Sequence, residues 1–327
     1  MNPRRRLLAL LVFAPVAAWA QTAPGVHRIG VLSAGYSPKA KDHPNWPTFF
    51  AAMRKLGYEE GRNVNYEVRN ADGTAARLPE LTRELIASGV QLIVVTGTSE
   101  ATAAFRATST LPIVMIHATN PVELGLAVSL ARPGRNLTGM LSTTAGFDAK
   151  AFALLIETLP RAKRIGVLGN PGHVAYQGFR QEIERAAADK GVTLLQTAEA
   201  RRPEELDSAF ARVAKDKPDA MLVQLDALFF VHRKRIVAFA EQARVPTMYR
   251  FTEDVEAGGL MAFATEFRDL YARAPVFVDK ILKGAKPGDM PIEQPTRFGL
   301  WVNLKTARAL GVKIPQAVLI RAERVIE

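Results

Sequence analysis

Polar side chains that follow predicted strands are the residues of this sequence best placed to bind a small molecule. In the first half of the chain they are Ser33, Tyr36, Thr98, Ser99, Thr119 and Asn120. Thr98 or Ser99 is expected at the N-cap of a helix, where the free backbone N–H groups of the first turn form a seat for a carboxylate. The alternative is that either residue only caps its helix. We predict that Ser33, Thr98 and Ser99 hold the anionic end of a ligand.

The second half of the chain has matching positions after its own predicted strands: Asn170, His173, Tyr176, Asp226, Tyr249 and Glu253. Asp226 and Glu253 are the carboxylates expected to pair with a ligand ammonium group, because a desolvated charge needs an opposite charge as its partner. Surface ion pairing is the alternative for both. Tyr36, Tyr176 and Tyr249 are expected to supply flat apolar walls, the alternative being that they only pack in the core or on the surface.

Residue patterns typical of catalysis or metal binding are absent from the sequence. There is no cysteine, which excludes thiolate zinc sites, iron–sulfur clusters, disulfides and a cysteine nucleophile. The five histidines form no H-E-x-x-H or comparable metal spacing. No G-x-S-x-G elbow, Walker loop or complete G-x-G-x-x-G motif follows a strand. The residues therefore indicate no metal site and no catalytic residues, and they leave enzyme chemistry without support but not excluded.

The elements that must position these residues occur in two similar series. The segment 27–33 (HRIGVLS) recurs as 163–169 (KRIGVLG), each time as a basic residue followed by a short apolar run. Strands then alternate with helices of ten or more residues, a pattern typical of parallel sheets covered on both faces. The predicted helices are 46–57, 76–88, 99–108, 121–131, 175–189, 204–215, 230–243 and 266–283. The predicted strands after each first strand are 63–68, 91–96, 113–117, 192–197, 220–225, 245–249 and 298–302.

The sequence therefore predicts the α/β class, with two doubly wound parallel-sheet lobes that meet near 143–148. The C-terminal elements, which include one short last helix, are too small for a third domain. They must pack back onto both lobes, so we expect a multi-crossover hinge. We assign 21–143 and about 266–290 to the first lobe, and 144–265 and about 291–327 to the second. Ligands of open α/β folds bind at the carboxyl ends of the strands, which places the expected site in the interlobe cleft.

Residues 1–20 have the three parts of a secretory signal peptide. Three arginines at 4–6 precede an apolar run over 7–18, and small residues at 18 and 20 predict cleavage before Gln21. The run is shorter than the ~20 residues that a membrane-spanning helix needs. Loss of the three arginines lowers the formal net charge from +11 to +8. We predict export to the periplasm, by the general or the twin-arginine route, and hence no nucleic-acid partner despite the basic charge.

Six longer stretches resemble the ABC transporter substrate-binding protein family that includes tryptophan- and tyrosine-binding members. They are 57–64 (GYEEGRNV), 120–126 (NPVELGL), 129–139 (SLARPGRNLTG), 256–260 (EAGGL), 278–287 (VDKILKGAKP) and 291–296 (PIEQPT). The resemblance covers nearly the whole chain after the signal peptide. It implies the type I periplasmic binding protein fold, with two lobes, three crossovers, no cofactor and no catalysis. It also implies an amino acid as ligand, with aromatic amino acids among those that relatives carry.

From both the residues and the resemblance we expect the periplasmic solute-binding component of an ABC importer. Its ligand is expected to be an amino acid, aromatic or branched, that bridges the cleft and favours hinge closure. The closed form of a monomer is expected to dock on a permease in the inner membrane. One alternative is a periplasmic sensor that passes its closed state to a membrane kinase or chemoreceptor. A further alternative is an exported α/β enzyme that acts on small acids.

Overall fold

The computed structural model describes residues 25–41 and 43–327. Its elements form two separate sheets, each covered by helices. The predicted signal peptide, residues 1–20, lies outside the described residues. Within the described part of the chain, no helix combines the length and apolar character that crossing a membrane requires.

The first lobe is built on five parallel strands. They are β1 (His27–Ser33), β2 (Val64–Asn70), β3 (Leu92–Val95), β4 (Ile113–Ala118) and β5 (Leu137–Leu141). The helices between them are α1 (Trp46–Lys55), α2 (Leu78–Ala87) and α3 (Thr98–Ala107). The strand order is β2-β1-β3-β4-β5. Strand β3 is buried along its whole length, because helices cover both faces of the sheet.

The second lobe repeats this arrangement on a larger sheet. Its first strands are β6 (Arg164–Gly169), β7 (Thr193–Leu194), β8 (Ala198–Glu199), β9 (Ala220–Val223), β10 (Thr247–Tyr249) and β11 (Met261–Ala264). Its helices are α4 (Phe147–Thr158), α5 (Tyr176–Lys190), α6 (Leu206–Asp216), α7 (Ala227–Val231), α8 (Arg233–Gln242) and α9 (Thr252–Glu256).

The C-terminal elements are divided between the two lobes. They are α10 (Phe267–Leu282), β12 (Gly299–Asn303), α11 (Leu304–Leu310), α12 (Gln316–Ile320) and β13 (Ala322–Ile326). Helix α10 packs on α1 and β4 of the first lobe. Strands β12 and β13 extend the second sheet to the order β13-β12-β11-β10-β9-β6-β7, with β8 beside β6 and only the β11–β12 pair antiparallel among the described strands.

The chain thus crosses between the lobes three times: after β5, after β11 and between 291 and 298. The crossings contact one another. Thr265 Oγ1 donates a hydrogen bond to the Ser142 carbonyl at 2.5 Å, and Met140 forms a parallel bridge with Glu293. These features confirm the predicted α/β class, with mostly parallel sheets between helices.

Each face of the first sheet has its own apolar core. Trp46 and Phe49 of α1 pack with Phe277 of α10 on one face. Leu81 and Leu85 of α2 lie in a second cluster on the opposite face. The strands are therefore held from both sides, and their carboxyl ends are left for the loops that face the cleft.

Two of the predicted helices are wrong in form. Residues 121–131 make turns rather than a helix, because Asn120 and Gly125 adopt left-handed conformations with φ of 48° and 70°. The segment forms consecutive turns instead, with hydrogen bonds from Leu124 N to the Asn120 carbonyl and from Leu126 N to the Pro121 carbonyl. The predicted helix 230–243 is interrupted at His232, which ends α7 and precedes α8.

The predicted strand 192–197 and the predicted C-terminus also differ from the structure. The strand is split into β7 and β8, which pair with opposite ends of β6. The chain ends with two short helices and the strand β13, not with one helix. Such short elements carry little periodic signal of their own, and pairing with β6 and β12 stabilises them.

Candidate functional site

A cavity of about 860 Å³ lies between the carboxyl ends of the two sheets and is lined by both lobes. Nine of the twelve residues predicted from strand ends line it: Ser33, Tyr36, Thr98, Ser99, Thr119, Asn120, Asn170, His173 and Asp226. They converge because the carboxyl ends of parallel strands share one edge of a sheet. Their contact with a ligand stays a prediction.

The other three predicted residues, Tyr176, Tyr249 and Glu253, are not among the residues that line this cavity, and a ligand contact for them also stays a prediction. Tyr249 is 2% exposed and packs in an apolar core of the second lobe. Tyr176 is buried at the start of α5, where its hydroxyl donates to Glu199 Oε1 at 2.6 Å. Glu253 lies beside the cavity, and its Oε1 accepts a hydrogen bond from Asn45 Nδ2 at 3.2 Å.

The start of α3 differs from the expected side-chain cap. The helix begins after Gly97, and no side chain caps it. Thr98 Oγ1 instead accepts the backbone N–H of Thr119 at 3.0 Å, which joins α3 to the end of β4. Ser99 Oγ is buried and has no hydrogen-bond partner within the described part of the chain. A buried, unpaired hydroxyl at a helix N-terminus suits a negatively charged group.

Glu100 is a cavity residue that strand-end reasoning missed. Its Oε1 accepts hydrogen bonds from Thr96 Oγ1 at 2.5 Å and from the Ala34 backbone N–H at 2.9 Å. Burial raises the pKa of Glu100, and these two hydrogen bonds oppose the rise. In a sequence, an acid in the first turn of a helix looks like ordinary stabilisation of the helix dipole, so no signal distinguished it.

Two hydrogen-bond donors hold the Asp226 side chain where the second lobe lines the cavity. Its Oδ1 accepts the backbone N–H of Leu228 at 2.8 Å and so caps α7. Its Oδ2 accepts from Asn170 Nδ2 at 3.0 Å, and the Asn170 backbone N–H donates to Gln224 Oε1 at 2.8 Å. A carboxylate has about four acceptor positions, so Asp226 keeps acceptor capacity for a ligand cation while its orientation is fixed.

Seven aromatic side chains form a closed circuit of ring contacts in the cavity wall. Around the circuit, neighbouring ring centroids lie 4.6 to 6.4 Å apart. We call these residues the aromatic chamber: Tyr36, Phe230, Phe251, Phe267, His117, Tyr271 and His43. Only Tyr36 among them is predicted from the sequence, because the others come from segments far apart in the chain.

The two histidines of the chamber have different surroundings. His43 Nδ1 accepts the backbone N–H groups of Asn45 and Trp46 at 3.2 and 3.3 Å, at the start of α1. Burial, with a smaller effect of His43, lowers the pKa of His117 to about 3. His117 is therefore neutral at physiological pH, with one ring nitrogen as donor and the other as acceptor.

Direct contacts join the lobes beside the chamber. The Tyr36 hydroxyl of the first lobe donates to the Val231 carbonyl of the second at 2.9 Å. The Arg233 guanidinium lies 5.4 Å from the centre of the Tyr36 ring. The Asn45–Glu253 hydrogen bond also joins the two lobes. The cavity is therefore bounded by lobes that touch at its margin.

Metal binding has no support in the side-chain arrangement. Among residues 25–41 and 43–327, no group of three or more His, Cys, Asp or Glu side chains is arranged to hold a metal ion. The polar groups of the cavity include hydroxyls, amides, imidazoles and carboxylates together with the cations of Arg185 and Lys190, and apolar side chains lie among them. Such a lining suits an organic ligand with both polar and apolar parts.

Known proteins with a similar sequence or structure are binding proteins. A tyrosine-binding protein from Clostridioides difficile (strain R20291) is 25% identical over 272 residues, which cover 81% of this chain and 76% of that protein. The crystal structure of an ABC domain from Streptococcus pneumoniae in complex with L-Trp has a TM-score of 0.81 and 26% identity, covering 92% of this chain and all of the other.

A third similar protein shares the fold. The ligand-free, open structure of a substrate-binding protein with adhesive properties from Clostridium difficile is 24% identical, covers 92% of this chain and 99% of that one, and has a TM-score of 0.61.

The family model described as ABC transporter substrate binding protein matches residues 47–326. This match confirms the resemblance read from the sequence, and members of the family bind substrates rather than convert them. Since the match spans most of the chain, the protein belongs to the ABC transporter substrate-binding protein family.

Proposed function

We propose that this protein is the periplasmic solute-binding component of an ABC importer, and that its ligand is an amino acid with an aromatic or branched side chain. Its family acts outside the cytoplasm. The signal peptide predicted at residues 1–20 supports the periplasm as the location. The amino-acid ligands named for two of the similar proteins, tyrosine and tryptophan, support the ligand class.

One observation carries the proposal: an aromatic chamber shares one cavity with polar groups suited to a carboxylate and an ammonium. Ser99 Oγ and the N-terminus of α3 receive the ligand carboxylate. Asp226, held by Asn170 and Leu228, receives the ammonium. The chamber takes the side chain, with an aromatic ring favoured because ring edges and faces attract one another.

The position of the ligand between the lobes also explains how binding changes the conformation of the protein. Ser99 lies in the first lobe and Asp226 in the second, so one ligand contacts both only when the lobes are closed. Such a ligand shifts the population from an open to a closed form. We propose that the closed form, as a monomer, docks on the permease in the inner membrane.

A thermal-shift panel on refolded protein from residue 21 onward tests the ligand class. The panel contains the amino acids, sugars and small carboxylates. A ligand at 100 times its Kd stabilises by about 2.7 kcal/mol, and each kcal/mol raises Tm by about 2–4 °C. We expect shifts of several degrees with aromatic or branched amino acids. A shift only with sugars, or turnover of the bound compound, contradicts the proposal.

Asp226→Asn tests the ammonium seat separately, because an asparagine keeps the α7 cap but removes the charge. We expect weaker binding of the amino acid and unchanged binding of its analogue without the amino group, by calorimetry.

For the importer role, cells without the protein should lose uptake of the labelled ligand. Equal uptake with and without the protein contradicts that role.

A further inference from the structure

The position of His117 results from an irregularity in strand β4. Met115 pairs with Gly139 and Ala118 pairs with Leu141, so β4 has one residue more than β5 between these pairs. Val114 and Ile116 face the core beneath α10, and Met115 faces the opposite core. Regular alternation would turn residue 117 to the side of Met115. The extra residue turns His117 toward α10 and the cavity instead, as bulges beside binding sites often do.

The ring of His117 packs against aromatic side chains of α10. Its ring contacts Phe267 at 4.8 Å, edge to face, and Tyr271 at 5.9 Å between centroids. The ring lines the cavity and is partly accessible from it. One ring nitrogen of His117 has a hydrogen bond with the backbone of His117 itself, and within the described chain no hydrogen bond joins the ring to another residue. A polar group in such a place is costly unless a ligand or water pairs with it.

The other polar groups of the chamber are differently placed. The Tyr36 hydroxyl already donates to the Val231 carbonyl, and His43 Nδ1 accepts two backbone N–H groups. The Tyr271 hydroxyl belongs to a side chain only 3% exposed. His117 therefore offers the cavity a neutral ring in the midst of apolar rings, with one nitrogen N–H directed to its own backbone and the other nitrogen as an acceptor.

We propose that His117 hydrogen-bonds a polar group on the ring of the ligand side chain. The ligand is then an aromatic amino acid with a phenol hydroxyl or an indole N–H, and phenylalanine is discriminated against. This inference rests on the proposed function and adds the residue that selects among aromatic rings. Neutral imidazole serves both groups, because its acceptor nitrogen accepts from an indole N–H or from a phenol hydroxyl.

The discrimination follows from the cost of an unpaired polar group. A phenylalanine ring fills the chamber but removes water from His117 without replacing its hydrogen bond. A phenol or an indole replaces it. The wild-type protein should therefore bind tyrosine or tryptophan at least about tenfold more tightly than phenylalanine.

Calorimetric titration of the wild type, His117→Phe, His117→Gln and Tyr271→Phe with the three amino acids tests the inference. His117→Phe should lose the preference while phenylalanine binds as well as before or better. His117→Gln, which keeps a donor and an acceptor, should retain part of the preference for tyrosine or tryptophan over phenylalanine. The measured quantity is the ratio of the Kd for phenylalanine to the Kd for tyrosine or tryptophan. A general loss of stability does not selectively change one of these Kd values.

The possible outcomes separate the two proposals. If none of the three amino acids binds the wild type, the aromatic ligand class itself is overturned. If all three bind equally, or if the preference survives in His117→Phe, the proposed function stands and the role of His117 is overturned. If Tyr271→Phe alone removes the preference, the selecting group is Tyr271, which also overturns the inference.

Discussion

Ser99 is the residue at which an effect on ligand binding is most clearly separable from an effect on protein stability. Its hydroxyl is buried without a hydrogen-bond partner among the described residues, so it adds no hydrogen bond to the stability of the ligand-free protein. Ser99→Ala should weaken ligand binding by about 1–1.5 kcal/mol, or roughly tenfold in Kd. The free energy of unfolding without ligand should stay the same or rise. Calorimetry and chemical denaturation measure the two effects.

The control for this prediction is Ser109→Ala, an exposed serine just after α3 and outside the cavity lining. This variant should change neither affinity nor stability. If Ser99→Ala lowers stability and leaves Kd unchanged, Ser99 is a structural residue and the carboxylate seat lies elsewhere.

At the scale of elements, the pairing of β4 with β5 decides where the chamber forms. Gly139 of β5 has φ of 129°, and a Cβ atom there would lie 2.1 Å from the Met115 carbonyl oxygen. Gly139→Ala therefore cannot keep the pairing that precedes the extra residue of β4. We expect a loss of at least about 2 kcal/mol in the free energy of unfolding, measured by urea denaturation.

Gly178→Ala is the matched control, because Gly178 lies within α5 and a Cβ there meets nothing within 4 Å. It should stabilise the protein by up to about 1 kcal/mol. A Gly139→Ala protein as stable as the wild type, with the same preference among aromatic ligands, would show that the strand irregularity does not position His117.

The predictions of helices and strands succeeded where burial dictates the apolar pattern of the sequence. They failed where tertiary contacts decide the backbone conformation. Strand β3 is recognisable because both of its faces are covered, so its side chains are apolar without interruption. The segment 121–131 looked helical by composition. Left-handed backbone at Asn120 and Gly125 excluded a helix there, and such conformations are not visible in hydrophobic periodicity.

At the scale of the whole molecule, the proposed function predicts that the contacts between lobes set the balance of open and closed forms. Tyr36→Phe removes the hydrogen bond to the Val231 carbonyl but keeps the ring beside Arg233. We expect a ligand-free protein with a larger radius of gyration by small-angle scattering, and a Kd raised about fivefold. With saturating ligand, the radius should match that of the wild type.

Tyr58→Phe is the control for closure, since the Tyr58 hydroxyl donates to Asp279 Oδ1 at 2.9 Å within the first lobe. That variant should lose stability without a change in the radius of gyration. An unchanged radius in Tyr36→Phe would mean that the contact between Tyr36 and Val231 does not contribute to closure.

The sequence alone determined the α/β class and identified nine of the residues that line the cavity. Apolar strands alternating with helices allow little besides parallel sheets, and the polar residues after those strands must share the carboxyl edge. Only the tertiary structure decided the aromatic chamber. Phe267 and Tyr271 reach it because α10 returns to the first lobe, and His117 because β4 holds one extra residue. Such contacts join residues distant in the chain, so local sequence patterns carry no signal for them.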